Sequence, residues 1–253
     1  MDKKYDDIRF INKDTVTLYA NTNESLLKGN VRGIIIELPG LGGGSCLGGS
    51  MGLAVYQSPK TEACAEKGII TAYMLPGPWS WGNAGAMRMT DAVIAALLDK
   101  YDLPSGTPIV VCGGSMGGLG ALNYAAHTDY ALRGVAAACP AIDVFCTIDK
   151  DPSFPATMIS AVACYDMSFE DALKTLSPME NIDKMPKVPY FICSDGEDVP
   201  CPEELCNLYV EKLQSRGHDV IYHRQPGLAH GYFEPQVYDA LFTFMMDCIL
   251  KSK

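Results

Sequence analysis

Positive charge is scarce in this sequence of 253 residues. It carries 20 Lys and Arg against 30 Asp and Glu, a formal net charge of −10. Nucleic acids are bound through clustered Lys and Arg, so this balance excludes a nucleic-acid surface. The same deficit weakens attraction to anionic lipid headgroups. We therefore expect neither nucleic acid nor a membrane among the partners of this protein.

Long apolar runs and paired cysteines are also missing. Runs such as residues 69–75 are far too short to cross a bilayer, and residues 1–7 (MDKKYDD) show no apolar core of a secretory signal. The ten cysteines lack the spacing of a zinc site or a redox dithiol, which predicts free thiols in a reducing compartment. With no phosphate loop either, we expect a cytoplasmic protein without a metal or other cofactor.

Apolar residues are abundant, at 48% of the chain, so a sizeable core is expected. Short β-rich runs alternate with helical patterns, which predicts an α/β fold whose mostly parallel sheet is flanked by helices. Eight strand candidates lie at residues 8–11, 15–20, 33–38, 69–75, 109–112, 135–139, 190–193 and 220–224. We expect one domain over residues 1–253.

Helical segments occupy the intervals between these strands. Apolar residues at helical spacing predict a helix over residues 89–101, and a capping box at 168–171 opens another through residue 176. Further helices are expected from Pro202 to Gly217 and over residues 235–250. The long interval at residues 143–186 predicts a small helical cap over the carboxyl edge of the sheet.

A candidate nucleophile lies in the pentapeptide GGSMG at residues 113–117. It matches Gly-x-Ser-x-Gly, a sharp strand-to-helix turn that needs small residues on both sides of the serine. The same five letters recur at residues 48–52, around Ser50. Ser115 follows the β-branched run 108–112 and precedes a helical stretch, whereas Ser50 follows a glycine-rich loop. The sequence therefore favours Ser115 as the nucleophile.

The general base must come from four histidines. His127 ends the helix after the nucleophile, His218 lies in a surface turn and His223 is inside the last strand. His230 falls in the loop between the last strand and the last helix, where a base can reach a serine at the carboxyl edge of the sheet. We therefore predict His230 as the base.

The acid that orients the base is harder to choose. The loop after the strand at 190–193 holds Asp195, Glu197 and Asp198, and Asp143 follows the preceding strand. Asp195 and Glu197 are also typical turn and cap residues, and Asp143 is a typical turn residue. Asp198, five residues beyond the strand, is preferred.

Four pieces of sequence together indicate a family: GGSMGG at 113–118, SP at 177–178 with KVP at 187–189, DVP at 198–200, and AHG at 229–231. Over roughly residues 30–250 the chain resembles the catalytic domain of prolyl-oligopeptidase-like and related esterase members of the α/β-hydrolase superfamily. The resemblance supports Asp198, because this family places its acid before Val-Pro. It also implies an oxyanion hole made by the backbone N–H groups of Leu41 and Met116.

Two features depart from the family. The usual His-Gly of the oxyanion loop is Pro39-Gly40 here, and only about thirty residues precede the first strong strand, so no propeller is expected. Both tryptophans, Trp79 and Trp81, lie in a Gly/Pro loop that either forms a substrate-binding wall or packs onto the fold.

The predicted function is that of a serine hydrolase acting on a small-molecule ester through an acyl-enzyme. A peptidase or acyltransferase of the same fold, or a catalytically idle binding module, are the alternatives.

Overall fold

A computed structural model describes residues 10–48, 56–77 and 79–251. Within these residues, seven strands form one sheet in the order β1-β3-β2-β4-β5-β6-β7. Their bounds are β1 Ala20–Thr22, β2 Gly33–Leu38, β3 Ile69–Met74, β4 Ile109–Gly114, β5 Leu132–Ala138, β6 Tyr190–Asp195 and β7 Val220–Gln225. Only β1 pairs antiparallel, with β3. The predicted α/β fold with a mostly parallel sheet is confirmed.

The central strands form because their residues suit a sheet that is covered on both sides. β2 and β3 are buried at every position, as near-continuous apolar runs require. Successive side chains alternate between the two faces: Ile34 and Ile36 belong to one core cluster and Ile35 to the other. The sheet therefore separates two apolar layers.

The amino-terminal part differs from the prediction of two strands there. The predicted strand at 15–20 is wrong: Val16–Leu18 form a 3₁₀ turn, and β1 begins only at Ala20. Thr15 accounts for the difference, because its hydroxyl donates to the carbonyl of Phe10 and accepts from the N–H of Asn12. Such local bonds compete with a strand ladder. The candidate strand at 8–11 lies partly outside the described residues.

Eight α-helices cover the sheet in the described part of the chain. Their bounds are α1 Pro59–Glu66, α2 Ala84–Lys100, α3 Met116–His127, α4 Val144–Thr147, α5 Phe154–Val162, α6 Phe169–Leu176, α7 Glu203–Ser215 and α8 Pro235–Leu250. α2 begins five residues before its predicted start, because Asn83 caps it by accepting from the N–H of Ala86. Ser168 caps α6 in the same way through the N–H of Asp171.

The interval between β5 and β6 contains α4, α5 and α6. These helices contribute to a third apolar cluster, which also includes Trp81, Met116 and Leu119. The predicted helical insertion thus packs beside the start of α3. No helix in the described residues is long and apolar enough to cross a membrane.

Candidate active site

Ser115 occupies a sharp turn between β4 and α3. Its backbone has φ 56° and ψ −124°, a conformation that non-glycine residues rarely adopt and that costs about 1–3 kcal/mol. A hydrogen bond from its N–H to the carbonyl of Ala138 (2.9 Å) ties the turn to β5. The turn directs Ser115 to the carboxyl edge of the sheet and places the first N–H groups of α3 beside it.

The glycines around Ser115 are required by space rather than by backbone dihedral angles. A Cβ on Gly113 would lie 2.4 Å from the backbone of Gly117, and one on Gly117 would lie 2.1 Å from the carbonyl of Leu38. Neither glycine has positive φ. The small residues of the motif therefore allow β4, α3 and the end of β2 to touch.

His230 connects the serine to a carboxylate. Its Nε2 lies 2.8 Å from Ser115 Oγ and its Nδ1 lies 2.6 Å from Asp198 Oδ2. The side chain of Asp198 is fully buried, whereas that of His230 remains 27% exposed at the cavity. Asp198 Oδ1 also accepts the N–H of Cys201 at 2.7 Å. Both oxygens of the carboxylate are thus held, which fixes the orientation of the imidazole.

The other candidate acids lie elsewhere. Asp143 caps α4 by accepting from the N–H groups of Phe145 and Cys146, and Glu197 is exposed. Asp195 is fully buried: its Oδ1 accepts from Gln225 Nε2 (2.6 Å) and its Oδ2 from the N–H of Gly231 (2.9 Å).

Asp195 therefore has more than a turn function, because it holds the residue that follows His230. Burial raises the pKa of this carboxyl to about 6, and the negative charge of Asp198 adds to the increase. The Gly231 N–H, the imidazole of His230 and Gln225 oppose it.

The remaining histidines lie away from Ser115. His127 Nδ1 contacts the carbonyl of Asn123 (2.9 Å) at the end of α3. His218 packs edge-on against the ring of Tyr190, and His223 stacks on Phe191. The structure thus brings only one of the four predicted candidates to the serine.

The loop after β2 lies directly beside the serine turn. A Cβ on Gly40 would be 3.3 Å from the carbonyl of Gly114. Leu41 follows at the tip of this loop and borders the cavity above Ser115, whereas Met116 opens α3 and its side chain is buried. Both residues that the family resemblance implies for the oxyanion hole thus adjoin the nucleophile.

A cavity of about 320 Å³ lies over Ser115. Its apolar walls include Phe154 of α5 and three loop residues, Leu41, Pro200 and Phe233. No Lys, Arg, Asp or Glu is among the described residues that line it. A larger groove of about 660 Å³ lies between α8 and β5–β7, but Ser115, Asp198 and His230 do not border it. We assign the site to the smaller cavity, since it contains the nucleophile.

One group of side chains in the described residues has the donor types of a metal site. Ligand atoms of Cys139, Asp198 and His230 lie within 4.8 Å of one another. Asp198 and His230 are hydrogen-bonded to each other and continue to Ser115. The arrangement is accounted for by that chain, and we assign no metal to it.

Comparison with known proteins identifies the family of this chain. The sequence pattern of the prolyl oligopeptidase family matches residues 81–252, about two thirds of the chain. The chain belongs to the prolyl oligopeptidase family. It is thus a member of a family of serine hydrolases with the α/β-hydrolase fold. The matched region includes Ser115, Asp198 and His230 and begins after the loop that carries Leu41. The comparison with curated proteins found no match.

Solved structures of other proteins share the fold of this chain at low sequence identity. A puromycin-hydrolyzing peptidase of Mycobacterium tuberculosis superposes with a TM-score of 0.71 at 17% identity, over 89% of this chain and 35% of that one. Acylaminoacyl peptidase of Pyrococcus horikoshii superposes with a TM-score of 0.67 at 16% identity, over 89% of this chain and 38% of that one. Esterase B of Lactobacillus rhamnosis HN001 superposes with a TM-score of 0.61 at 13% identity, over 87% of this chain and 79% of that one. The chain thus spans about a third of the length of these peptidases.

Neither tryptophan borders the cavity over Ser115 among its described lining residues. Trp81 is 1% exposed; its Nε1 donates to Thr157 Oγ1 (3.1 Å) and its ring packs edge-on against Phe154. It therefore anchors α5, as the alternative packing interpretation expected. Trp79 is 49% exposed and does not border the cavity.

Two residues at the site were not predicted from the sequence. Phe233 forms one aromatic wall of the cavity, and Glu37 holds the loop after β2. The other aromatic wall, Phe154, belongs to the predicted helical cap. The signal for Glu37 was present: a carboxylate stands inside the apolar run 33–38, where an unpaired charge is costly. Ser50, the alternative nucleophile, lies outside the described residues.

Proposed function

We propose that this protein is a serine esterase that cleaves small or medium carboxylic esters through an acyl-enzyme intermediate. The observation that carries the proposal is the continuous hydrogen-bonded chain Ser115–His230–Asp198 beneath an apolar cavity. A serine held in a strained turn against an imidazole is the arrangement that activates a hydroxyl for acyl transfer.

In the first step, Ser115 Oγ attacks the ester carbonyl while His230 Nε2 takes the hydroxyl proton. The backbone N–H groups of Leu41 and Met116 stabilise the oxyanion, and the amino terminus of α3 adds its positive dipole. Asp198 stabilises the imidazolium. Collapse of the intermediate breaks the bond to the alkoxide, which leaves with the proton from His230.

In the second step, water replaces the alcohol. His230 removes a proton from the water as the oxygen attacks the acyl carbonyl, and the same N–H groups stabilise the second oxyanion. The acid is released when Ser115 regains its proton. Each cycle consumes one water and leaves the protein unchanged.

The cavity supports a neutral acyl group. Its described lining contains no Lys, Arg, Asp or Glu, so a charged substrate group would lose hydration without a partner there. Phe154 and Phe233 offer apolar area, which binds acyl or aromatic groups in proportion to the surface removed from water. Because Phe154 belongs to the helices between β5 and β6, we propose that residues 143–186 cap this single-domain enzyme.

A peptidase is the second candidate. The family and two of the similar structures carry peptidase names, whereas Esterase B is similar in fold and is covered over 79% of its length. Esters are favoured because a compact neutral cavity fits an acyl chain and an alkoxide leaves more readily than an amine. We also propose a cytoplasmic location, since all ten cysteines are free thiols.

A substrate panel tests this proposal. Short acyl esters and matched peptide amides are compared by kcat/KM with the wild type and with Ser115→Ala. We expect the esters to react faster and Ser115→Ala to lose about 10⁶-fold in kcat. Faster turnover of the amides would make the protein a peptidase, and full activity of Ser115→Ala would refute the serine mechanism.

A further inference from the structure

Glu37 is a fully buried carboxylate near the carboxyl end of β2. The strand pairs it with Tyr73 of β3 and Cys112 of β4, so it lies in the middle of the sheet. A charge in such a place is costly unless hydrogen bonds compensate it. Its presence therefore requires a structural or functional reason.

Every partner that the structure gives to this carboxylate is a neutral donor from the chain that follows β2. Oε1 accepts from Ser45 Oγ (2.8 Å), from the N–H of Cys46 (2.5 Å) and from the N–H of Leu47 (3.1 Å). Oε2 accepts from the hydroxyl of Tyr56 and from Ser45 Oγ (2.9 Å). Both oxygens are thus used to hold one loop.

These bonds close the loop on the strand from which it starts. Within the loop, the N–H of Gly40 donates to the carbonyl of Gly44 (2.8 Å), and the N–H of Gly43 donates back to Gly40 (2.9 Å). The hydroxyl of Tyr73 donates to the carbonyl of Gly43 (2.8 Å). Leu41 lies inside this turn, so its position depends on bonds at both ends.

We propose that Glu37 is a positioning residue: it fixes the loop that presents the N–H of Leu41 to the oxyanion and that forms the Ser45–Cys46 wall of the cavity. The inference rests on the proposed serine hydrolase function. Glu37 does not itself reach the reacting atoms, because its oxygens are directed at the loop. Its effect on the reaction is therefore indirect, through the geometry of the oxyanion hole.

The surroundings of Glu37 distinguish a charge requirement from an anchoring requirement. Burial raises the pKa of this carboxyl, and the bonds from Ser45, Cys46 and Leu47 oppose the increase. In Glu37→Gln, the side-chain oxygen can still accept from the N–H groups of Cys46 and Leu47. The NH₂ group then faces the hydroxyl oxygens of Ser45 and Tyr56, which can accept hydrogen bonds. Alanine removes every bond. Anchoring therefore predicts that glutamine rescues most of what alanine loses.

Kinetics of Glu37→Gln and Glu37→Ala test the proposal. Losing one oxyanion donor lowers kcat by about 10²–10³-fold, so we expect Glu37→Ala to lose about 10²-fold in kcat with KM changed less. Glu37→Gln should lose about tenfold or less. Asn23→Ala is the control: this buried amide bonds Thr61, Ile69 and Thr71 away from the cavity, so its loss should lower stability but not kcat.

Two further measurements separate this proposal from the proposed function. A trifluoromethyl ketone forms an oxyanion adduct, so Glu37→Ala should weaken its inhibition by about the same factor as kcat/KM. Hydrogen exchange needs no activity: the N–H groups of Cys46 and Leu47 should exchange at least about tenfold faster in Glu37→Ala.

The outcomes are distinct. Unchanged kcat, inhibition and exchange in Glu37→Ala would overturn the role of Glu37 and leave Ser115 untouched. Equal losses of kcat in Asn23→Ala and Glu37→Ala would also overturn it, because general destabilisation would then explain both. If the wild type cleaves no ester or amide, the proposed function fails, whereas exchange still decides whether Glu37 fixes the loop.

Discussion

Asp195 is the last residue of β6 and Asp198 lies three residues further along the chain, but the two hold different parts of the same histidine segment. Asp198 accepts from the imidazole of His230, whereas Asp195 accepts from the N–H of Gly231. One carboxylate orients the ring and the other fixes the backbone that carries it. This division predicts different consequences when each is replaced.

Replacing the two carboxylates separately measures that division. Asp198→Asn should lower kcat by about 10⁴-fold, because the amide favours the wrong imidazole tautomer. Asp195→Asn should cost about tenfold, since it offers one acceptor oxygen to two donors. Asp143→Asn is the control, because asparagine also caps a helix well. A larger loss at Asp195 than at Asp198 would exchange their assigned roles.

The raised pKa of Asp195, about 6, predicts a pH dependence of folding. The folded state binds this proton more tightly than the unfolded chain, whose Asp has a pKa of about 3.9. Its stabilising contribution is therefore complete below about pH 4 and is lost as the pH rises through about 6. Asp195→Asn cannot titrate at this position. As the pH rises from about 4 to about 6, the variant should therefore become more stable relative to the wild type.

Urea unfolding across that pH range measures the difference in free energy of unfolding. Asp129→Asn, at an exposed position, is the control. A difference between Asp195→Asn and wild type that stays constant with pH would contradict the assignment of this titration to Asp195.

The two tryptophans should differ sharply in their effect on stability. Trp81 is buried against Phe154 and bonds Thr157, so Trp81→Ala should lower the free energy of unfolding by about 3–5 kcal/mol. Trp79 is half exposed, and Trp79→Ala should change the free energy of unfolding by about 0.5 kcal/mol or less. Denaturant titration of both variants measures these two free energies. Similar values would show that Trp81 does not anchor α5.

Phe233 should contribute to binding of the acyl group. It borders the cavity over Ser115, whereas its neighbour Tyr232 is 67% exposed and does not. Removing the ring takes away apolar contact worth about 1.4 kcal/mol, which is a tenfold rise in KM for an apolar ester. Phe233→Ala and Tyr232→Ala are compared over a series of acyl lengths. An equal KM for both variants would place the acyl group elsewhere.

Local patterns explain what could be predicted from the sequence. β2 and β4 contain continuous β-branched runs at residues 34–36 and 109–111, and the turn at Ser115 needs glycines at fixed spacing, so both are visible within a few residues. His230 was found because the loop after the last strand must reach the carboxyl edge of the sheet. The start of α2 was missed because Asn83, a polar cap, lies outside the apolar pattern.

Distant partners explain what could not be predicted. Trp81 is buried through Thr157, which lies 76 residues away, and Asp195 acquires its function through Gly231, 36 residues away. Glu37 accepts a hydrogen bond from Tyr56, which lies 19 residues further along the chain. Each of these side chains has an ordinary local interpretation, and only the packing of separate elements gives it another function.

Active-site labelling tests the central claim most directly. An organophosphorus probe is reacted with the protein, and the adduct is located by mass spectrometry after trypsin digestion, which separates residues 33–60 from residues 101–133. We expect the adduct on Ser115, with no labelling of Ser115→Ala and normal labelling of Ser50→Ala. An adduct on Ser50, or labelling that survives Ser115→Ala, would contradict the assignment of Ser115 as the nucleophile.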